Sequence, residues 1–516
     1  MPPSSFGLRY SFVILASSFV IPPLANAATP GEVSGALSKA VSFYHSKAAT
    51  HGGYVYRYSA DFTLREAEGI PEPDTIWIQP PGTPAVGMAM LDAYEATKDE
   101  NCLRAAVDAA HAVSRTQLAS GGWDYSGHFD AKGREKKLYR RDQTGKLLPA
   151  PPASNREAGW HNWRRQDKKN YSTYDDDVTQ AATRLLVRVD HALGGKDAEI
   201  KEAADFALAT IMATQYPAGG WSANFDDHPT APPPAGMYPV KPGNYPADWP
   251  RKWPKDFSGC YVLNDNTHAT LMGTLLLAWQ LRGDQKYLDA AKRGGDFLLT
   301  AQMPDPQPAW GQQYNADMQP VWSRQFEPTA ISGRESQAAM WALLKLADAT
   351  GDKKYLAPVA KAITYLRSVL LPGNQVARFY ELQTNKPLYF ERGPGGKGFE
   401  LTYSDKKTSS NYGWKWDSEL DDLQSFGSKV ARSEKVVFPR VEKERWSSPP
   451  TDQDIATILS EQKPDGSWTA TDEERGIMRD ASGKKTKPAG GVIYSLDFTQ
   501  NVKALSTWLK AKGGAK

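Results

Sequence analysis

The chain has 516 residues, of which 40% are hydrophobic and 23% charged, a balance that indicates a globular protein with a sizeable core and excludes a disordered one. Its formal net charge of +3 at pH 7 is too small to indicate binding to nucleic acid or to an anionic membrane. Its two cysteines, Cys102 and Cys260, are too few for a disulfide framework, and their spacing leaves open whether they pair.

The first 27 residues have the pattern of a secretory signal peptide. Arg9 is followed by an apolar stretch from Tyr10 to Ile21, and Ala25-Asn26-Ala27 offers an A-x-A cleavage site. The stretch is short for a membrane-spanning helix, which needs about 20 apolar residues, so an uncleaved anchor is the weaker alternative. We expect a mature chain that begins near Ala28 and is secreted or periplasmic, with no membrane span.

A loose repeat of helix, short polar turn, helix and loop then follows. The polar turns are Thr97 to Leu103, Gly194 to Ile200, Arg282 to Leu288 and Thr350 to Leu356. After the last turn, apolar residues recur at helical spacing and form one stripe: Leu356, Val359, Ala360, Ile363 and Leu366. Each hairpin predicted in this way is too small to bury its apolar stripe alone.

The second helix of each hairpin leads into a glutamine and then a tryptophan. The pairs are Gln117 with Gly121-Gly122-Trp123, Gln215 with Gly219-Gly220-Trp221, Gln302 with Trp310 and, more weakly, Gln462 with Gly466-Ser467-Trp468. Hairpins of this kind pack side by side. We therefore predict an all-α fold, an (α/α) toroid or barrel of helical hairpins whose loops line one rim.

Two stretches interrupt the hairpins with proline, glycine and charge, namely Tyr125 to Ser172 and His228 to Gly259. Because the helical pattern resumes after each, we interpret them as long rim loops. From Gly427 onward the repeat is poor. The predicted organisation is a signal peptide (1–27), a toroidal catalytic domain (28–426) and a C-terminal cap or small appendage (427–516).

Acidic residues begin two successive hairpins. Asp175, Asp176 and Asp177 directly precede the helical run Val178 to Ala192, and Asn264-Asp265-Asn266-Thr267-His268 occupies the equivalent place in the next hairpin. Acidic helix starts are ordinary N-caps, but three adjacent carboxylates exceed what capping needs and repel one another. A calcium ion, which takes carboxylate oxygens, offsets that repulsion. We interpret His268 as part of a polar network rather than as a ligand.

A third candidate lies further along the chain, in Ser323-Arg324-Gln325-Phe326-Glu327 and Ser332-Gly333-Arg334-Glu335. The second segment has capping-box spacing before an apolar helix, which predicts a structural role for Glu335. By itself Arg324 would be an ordinary loop arginine.

Several pieces of the chain, in the same order, resemble the family 10 pectate lyases, also called pectic acid lyases, over roughly Ala85 to Trp416. The pieces are Tyr174-Asp175-Asp176, Gly219-Gly220-Trp221, Leu263-Asn264-Asp265, Pro308-Ala309-Trp310, Arg324-Gln325-Phe326-Glu327 (typically R-A-Y-E in the family), Ile331-Ser332-Gly333 and Arg378-Phe379-Tyr380. The family has an (α/α) toroid fold, in agreement with the hairpin repeat.

The resemblance implies a calcium-dependent lyase that cleaves polygalacturonate by β-elimination and leaves an unsaturated sugar. It implies that Asp175, Asp176 and Asp265 bind calcium, and that Arg324 abstracts the proton. The family often has asparagine where this chain has Asp176. An arginine guanidinium is an awkward base, because it normally stays protonated.

The resemblance also implies substrate-binding residues, with one departure. The family has an arginine in an R-x-G-Y-x-W element, which Ser409-Ser410-Asn411-Tyr412-Gly413-Trp414 lacks. Lys406, Lys407 and Arg392 are candidates to replace it as the clamp on a substrate carboxylate. The predicted substrate-binding residues are these three with Trp221, Trp310 and Tyr412. The stretch Trp160 to Lys169 has two interpretations of equal weight. It could bind a polyanionic glycan through stacking and charge, or it could be a solvated basic loop.

Three alternatives stay open on the sequence. The first is an α/α-barrel glycoside hydrolase acting on uronic-acid glycans, with Asp175 or Asp265 as its general acid. The second is a terpenoid cyclase, which export and the charged rim loops disfavour. The third is a non-catalytic glycan-binding relative. Under the favoured hypothesis the partner is an acidic polysaccharide, without nucleic acid or membrane, and the protein is a monomer.

Overall fold

The computed structural model describes residues 28–150, 168–229, 233, 236–255, 260–436 and 445–513. The predicted signal peptide and Trp160 to Asp167 of the basic stretch therefore lie outside the described residues. The α-helices in the described part are α1 Pro30–Lys47, α2 Thr83–Thr97, α3 Glu100–Ser114, α4 Ala131–Arg134, α5 Val178–Ala192, α6 Ala198–Ala213, α7 Thr267–Arg282, α8 Gln285–Ala301, α9 Gly333–Thr350, α10 Leu356–Ser368, α11 Leu420–Ala431, α12 Asp452–Glu461 and α13 Ser495–Ala511.

Strands of two to six residues lie in the segments between the helices. They are β1 Arg57–Ser59, β2 Arg65–Glu66, β3 Thr75–Trp77, β4 Ser126–His128, β5 Ser172–Thr173, β6 Asn224–Phe225, β7 Tyr261–Val262, β8 Gln313–Tyr314, β9 Ala330–Ser332, β10 Gln375–Ala377, β11 Phe379–Glu381, β12 Pro387–Arg392, β13 Phe399–Thr402, β14 Lys415–Asp417, β15 Met478–Arg479, β16 Lys485–Thr486 and β17 Val492–Tyr494.

The polar turns form where the sequence predicts them. Asp99, Asp197 and Asp284 precede α3, α6 and α8, and each side chain accepts a hydrogen bond from a backbone N–H of the first turn. Such caps satisfy amides that have no partner within the helix. At the other end, α7 and α9 stop at Gly283 and Gly351, which adopt the left-handed conformation that favours glycine.

The hairpins close into an (α/α) toroid, as predicted. The inner helices pack in the order α13, α2, α5, α7, α9 and α11, while α3, α6, α8 and α10 each run back along the outside of the preceding inner helix. One continuous hydrophobic core fills the space between the two layers. Among the described residues, no helix is both long and apolar enough to cross a membrane. Cys102 and Cys260 are both free thiols.

The glutamine and tryptophan of each hairpin are structural. Gln215 Nε2 donates to the carbonyls of Gly219 and of Ala290 in the next outer helix, and Trp221 Nε1 donates to Ile211 O at 2.8 Å. Gly219 has a φ of +95°, and a Cβ there would lie 2.1 Å from Arg293 O in α8, so only glycine permits this approach. The other hairpins repeat these contacts through Gln117 with Trp123 and Gln302 with Trp310.

This role corrects the prediction that Trp221 and Trp310 bind substrate. Both side chains are completely buried, and both indole N–H groups are bonded to helix carbonyls. A fully buried ring has no face to offer a sugar. The tryptophans instead fill the core beneath the rim.

The C-terminal segment closes the ring and is not an appendage. Gln462 Nε2 donates to Gly466 O and to Ala36 O of α1, which is the same bridge to a neighbouring outer helix that the other hairpins make. α13 packs against α2 and α1, and β17 pairs with β1. The repeat is weak here because this last part of the ring takes α1 from the other end of the chain.

Candidate functional site

Two matching turns lie side by side at the rim, between a short strand and an inner helix. Asp175–Asp177 forms a 3-10 turn between β5 and α5, and Asn264–Asn266 forms one between β7 and α7. Each turn holds two successive left-handed residues, a conformation that Asp and Asn tolerate better than other side chains. Neither Asp177 nor Asn266 caps its helix through the side chain, so capping does not explain these acidic residues.

The turns bring three carboxylates together. Asp175, Asp176 and Asp265 each place an oxygen within 4.8 Å of the others, and Asp175 is buried. Asp176 Oδ2 accepts a hydrogen bond from Gln79 Nε2 at 3.1 Å. Asp175 Oδ2 accepts one from the Tyr125 hydroxyl at 3.2 Å, whereas its buried Oδ1 has no hydrogen-bond partner within the described part of the chain.

The cluster holds more negative charge than its surroundings balance. Burial, followed by the charges of Asp176 and Asp265, raises the pKa of Asp175 to about 8. Burial and then Asp265 raise the pKa of Asp176 to about 6. Burial acts in the same direction on Asp265, but Arg378 and Arg334 outweigh it and hold its pKa below the usual value.

This cluster fits a calcium ion. Its donors are all carboxylate oxygens, which is the ligand type that calcium prefers. The unpartnered Oδ1 of Asp175 is a buried acceptor that a cation would satisfy. Three side chains supply part of the six to eight oxygens that calcium takes, so water and substrate oxygens would complete the shell.

Arg324 lies at the edge of the cluster. One of its terminal nitrogens is 2.5 Å from Glu327 Oε1 and 3.8 Å from Asp265 Oδ2, and the side chain is 42% exposed. Burial by itself would lower the pKa of Arg324, but the hydrogen bond and charge of Glu327 outweigh it and hold the pKa above its ordinary value. In this geometry Arg324 is a cation.

Two further arginines contact Asp265. Arg334 Nη1 lies 2.6 Å from Asp265 Oδ1, and its guanidinium stacks 4.4 Å from the centre of the partly exposed Trp416 ring. Arg378 is buried, with Nη2 3.4 Å from Asp265 Oδ1 and 3.2 Å from Glu335 Oε1. Neither arginine was among the predicted site residues.

Glu335 has the structural role expected of it, because its backbone N–H is bonded to Ser332 Oγ at 3.4 Å. It has a second role that spacing alone did not indicate, since its carboxylate pairs with Arg378. The only sequence signal for Arg378 was its position in a piece of the family resemblance.

Tyr412 lies within the site. Its hydroxyl donates to Glu327 Oε1 at 2.9 Å and accepts from Gln312 Nε2 at 3.0 Å and from Arg378 Nη2 at 2.5 Å. Arg378 also stacks over the Tyr412 ring, 3.6 Å from its centre. Tyr412 therefore links the loop that carries Arg324 to the buried arginine behind Asp265.

The three basic residues proposed as a clamp lie further out, and all are exposed. Arg392 stacks 4.4 Å from the centre of the Phe399 ring, which in turn packs against Phe326 beside Arg324. Lys406 and Lys407 lie in the loop between β13 and β14. The rings of Phe399 and Phe326 thus connect Arg392 to the loop that carries Arg324, a link that its position in the sequence did not indicate.

His268 has the polar-network role expected of it. It is buried, its Nε2 lies 2.9 Å from Gly294 O, and it packs against Trp221. Burial lowers its pKa to about 4, so it is neutral at physiological pH.

A cavity of about 290 Å³ lies elsewhere, lined by residues of α1, α3 and the loops beside them, including His45, Asp108, His111 and Arg115. None of the carboxylates of the acidic cluster lines it. Its three histidines, His45, His51 and His111, are each hydrogen bonded to an aspartate. The negative charge of the carboxylate cluster is not balanced in this way, so the cluster is a stronger candidate for the catalytic site than this cavity.

The chain has distant neighbours among solved structures but none among curated sequences. No protein-family model and no curated protein matches the sequence. Solved structures with a similar backbone include a mutant family 10 polysaccharide lyase from Cellvibrio cellulosa in complex with trigalacturonic acid, at 18% identity and a TM-score of 0.41, covering 67% of this chain and 98% of that one.

Two other neighbours have different activities. Cellobiose 2-epimerase from Spirochaeta thermophila is 12% identical with a TM-score of 0.42, covering 78% of this chain and 97% of that one. A type II terpene cyclase from Scytonema is 14% identical with a TM-score of 0.34, covering 93% and 99%. These similarities are too distant to assign an activity to this chain.

Proposed function

We propose that the protein is a secreted, calcium-dependent pectate lyase that cleaves polygalacturonate by β-elimination. One observation carries the proposal: three carboxylates meet within 4.8 Å of one another, with the arginine Arg324 3.8 Å from one of them. The arginines around the cluster balance Asp265 but leave Asp175 and Asp176 with raised pKa values, and a uronate polymer brings further carboxylates. A divalent cation that binds both is the simplest way to balance these charges.

The reaction needs negative charge to be stabilised at one position. Loss of the C5 proton of a uronate to the base puts charge on the adjacent sugar carboxylate. The electron pair then forms the C4–C5 double bond, the C4–O bond breaks, and the departing oxygen takes up a proton to become a hydroxyl group. Calcium held by Asp175, Asp176 and Asp265 would supply Lewis-acid stabilisation of that sugar carboxylate. The partly exposed Arg334, already 2.6 Å from Asp265, is placed to bind the same group.

Arg324 is the proposed base, and its surroundings decide when it can act. The charges of Glu327 and Asp175 are among the factors that hold its proton. Neutralising the carboxylate cluster weakens that attraction, so cation binding and base function are coupled in this proposal. Glu327 fixes the direction of the guanidinium, and Tyr412 fixes Glu327 through a hydrogen bond of 2.9 Å.

One observation favours a second candidate, a glycoside hydrolase of uronic-acid glycans. The pKa of Asp175 is raised to about 8 while that of Asp265 is lowered, which is the separation that an acid and a base of a hydrolase need. Both groups, however, share one cluster with Asp176, and Asp175 is too buried to protonate a glycosidic oxygen directly. We therefore rank this function second.

Ultraviolet absorbance during incubation with polygalacturonate tests the proposal. A lyase forms a conjugated double bond and absorbance rises, whereas a hydrolase releases reducing ends without it. We expect the rise to require calcium, to stop on addition of a chelator and to return when calcium is added back, while the helical circular dichroism persists throughout. Full turnover in excess chelator would eliminate the calcium mechanism.

A further inference from the structure

An exposed tyrosine on the rim is held by a buried carboxylate. The Tyr403 side chain is 51% exposed, yet its hydroxyl donates to Glu381 Oε1 at 2.8 Å. Glu381 is buried and is fixed in turn by Thr384 Oγ1 at 2.5 Å and by Arg251 Nε at 3.1 Å. An aromatic ring that is exposed but fixed at its polar end has the arrangement of a stacking platform.

Cations and a second aromatic ring surround this platform. Lys386 is exposed, and its Nζ lies 5.4 Å from the centre of the Tyr403 ring. The Arg251 guanidinium, half exposed, lies 4.8 Å from the centre of the Trp249 ring. We call Trp249, Arg251, Lys386 and Tyr403 the Tyr403 surface. It combines the exposed ring of Tyr403 with positive charge, which suits a ligand that has sugar rings and carboxylates.

Two segments of the chain connect the Tyr403 surface to the candidate site. Arg378 directly precedes β11 and Glu381 ends it, so about 10 Å of extended chain separates the two residues. From the other side, Trp253 Nε1 donates to Ser323 O at 2.8 Å, so the loop that carries Trp249 and Arg251 is attached next to Arg324. A chain bound at the acidic cluster can therefore continue onto this surface.

We infer that the Tyr403 surface binds uronate units of a polysaccharide chain remote from the bond being cleaved. The inference rests on the proposed function, which it deepens by making the substrate a long polymer rather than a short oligosaccharide. The surface contributes affinity for the polymer only. Short substrates that fill the cluster alone do not reach it.

Binding and turnover are measured separately for four variants. Tyr403→Ala removes the ring, Tyr403→Phe keeps it without the hydroxyl, and Lys386→Gln removes the neighbouring charge. Lys361→Gln is the control, because Lys361 is an exposed lysine on the outer helix α10. Binding is followed by retardation in gels that contain polygalacturonate, which needs no turnover, and thermal melting verifies the fold of each variant.

We expect Tyr403→Ala and Lys386→Gln to weaken polymer binding and raise the KM for polygalacturonate by about threefold to tenfold, the range of one stacking contact. Tyr403→Phe should lose less, and Lys361→Gln nothing. The kcat/KM for trigalacturonate should stay within about twofold of that of the unaltered protein, and salt should weaken polymer binding.

Three results would overturn the inference. Unchanged retardation of Tyr403→Ala and Lys386→Gln would do so whatever the lyase assay gives. Equal losses on the polymer and on trigalacturonate would place these residues in the cleft itself. If polygalacturonate did not retard the unaltered protein, this polymer would be excluded as the ligand of the Tyr403 surface. Failure of the proposed lyase function would look different from failure of this inference. In that case the protein would still bind the polymer but form no product that absorbs ultraviolet light.

Discussion

At the scale of single residues, the acidic cluster is explained by charge rather than by helix capping. Two left-handed turns point their carboxylates at one another, and burial makes the repulsion between them stronger. The arginines behind Asp265 balance that residue, while Asp175 and Asp176 keep raised pKa values. Substitutions at these positions therefore affect stability and cation binding in different directions.

Asp176→Asn separates these two effects. Asn tolerates the left-handed backbone at this position and removes one charge from the cluster. Without calcium we expect a slightly higher Tm, and with calcium an affinity at least about tenfold weaker, measured by calorimetric titration. Asp177→Asn is the matched control: it has the same backbone conformation, but its carboxylate pairs with Arg184, so it should lower the Tm and leave calcium affinity nearly unchanged.

Arg324→Lys tests the proposed base. Lysine keeps a positive charge but not the position of the guanidinium nitrogens or their pKa. General-base catalysis contributes about 10²–10⁴-fold, so we expect turnover at saturating calcium and polygalacturonate to fall by at least about 100-fold with KM nearly kept. Arg367→Lys on the exposed side of α10 is the control. Near-normal turnover of Arg324→Lys would exclude it as the base and direct attention to Arg392, Lys406 and Lys407.

At the scale of elements, one bridge joins each hairpin to the next. The glutamine at the end of an outer helix bonds both its own loop and the backbone of the following outer helix. The bridge made by Gln462 to Ala36 joins the two ends of the chain. This bridge closes the ring of hairpins, as the last inter-strand hydrogen bonds close a β-barrel.

Gln462→Ala should therefore destabilise the whole ring. Gly466 O loses its side-chain donor, and such an unsatisfied buried group costs about 1–3 kcal/mol, whereas Ala36 O lies inside α1 and keeps its bond within that helix. We expect the free energy of unfolding, from urea titration, to fall by about that amount. Gln453→Ala, an exposed glutamine on the same helix α12, is the control and should change little. If Gln462→Ala left stability unchanged, the closing bridge would contribute nothing.

At the scale of the whole molecule, stability and pH are linked through the acidic cluster. The folded-state pKa values of about 8 for Asp175 and about 6 for Asp176 exceed the unfolded value of about 3.9. The folded protein thus binds more protons than the unfolded one in this interval. The stabilisation by these protons is complete below about pH 4 and is lost as the pH rises through 6 and then 8.

Without calcium we expect the Tm to decline by a few degrees between about pH 5.5 and about pH 8.5, measured by scanning calorimetry. Calcium should remove most of the decline, because it replaces the protons as the balancing charge. Asp176→Asn should flatten the profile, whereas Asp177→Asn should not. A calcium-free Tm that rises steadily over this interval would contradict the charge balance described for the cluster.

Much of the fold was determined by local sequence. The polar turns, the helix-capping aspartates and the glutamine-tryptophan pairs act over a few residues, and this local action explains why their pattern predicted the hairpins and the (α/α) toroid. The two acidic helix starts were visible in the same way, whereas the family resemblance, and not local sequence, singled out Asp175, Asp176 and Asp265 among their residues.

Only the tertiary structure decided what each of these residues contacts. Trp221 and Trp310 resembled sugar-binding residues, but packing between helix layers buries them. Arg378 reaches Asp265 across 113 positions of sequence, and Gln462 reaches Ala36 across 426, distances over which no local pattern carries information. The sequence by itself determined which helices form and where carboxylates begin them, while the closure of the ring decided which charges meet, because the interaction of charges depends on distance in space and on burial.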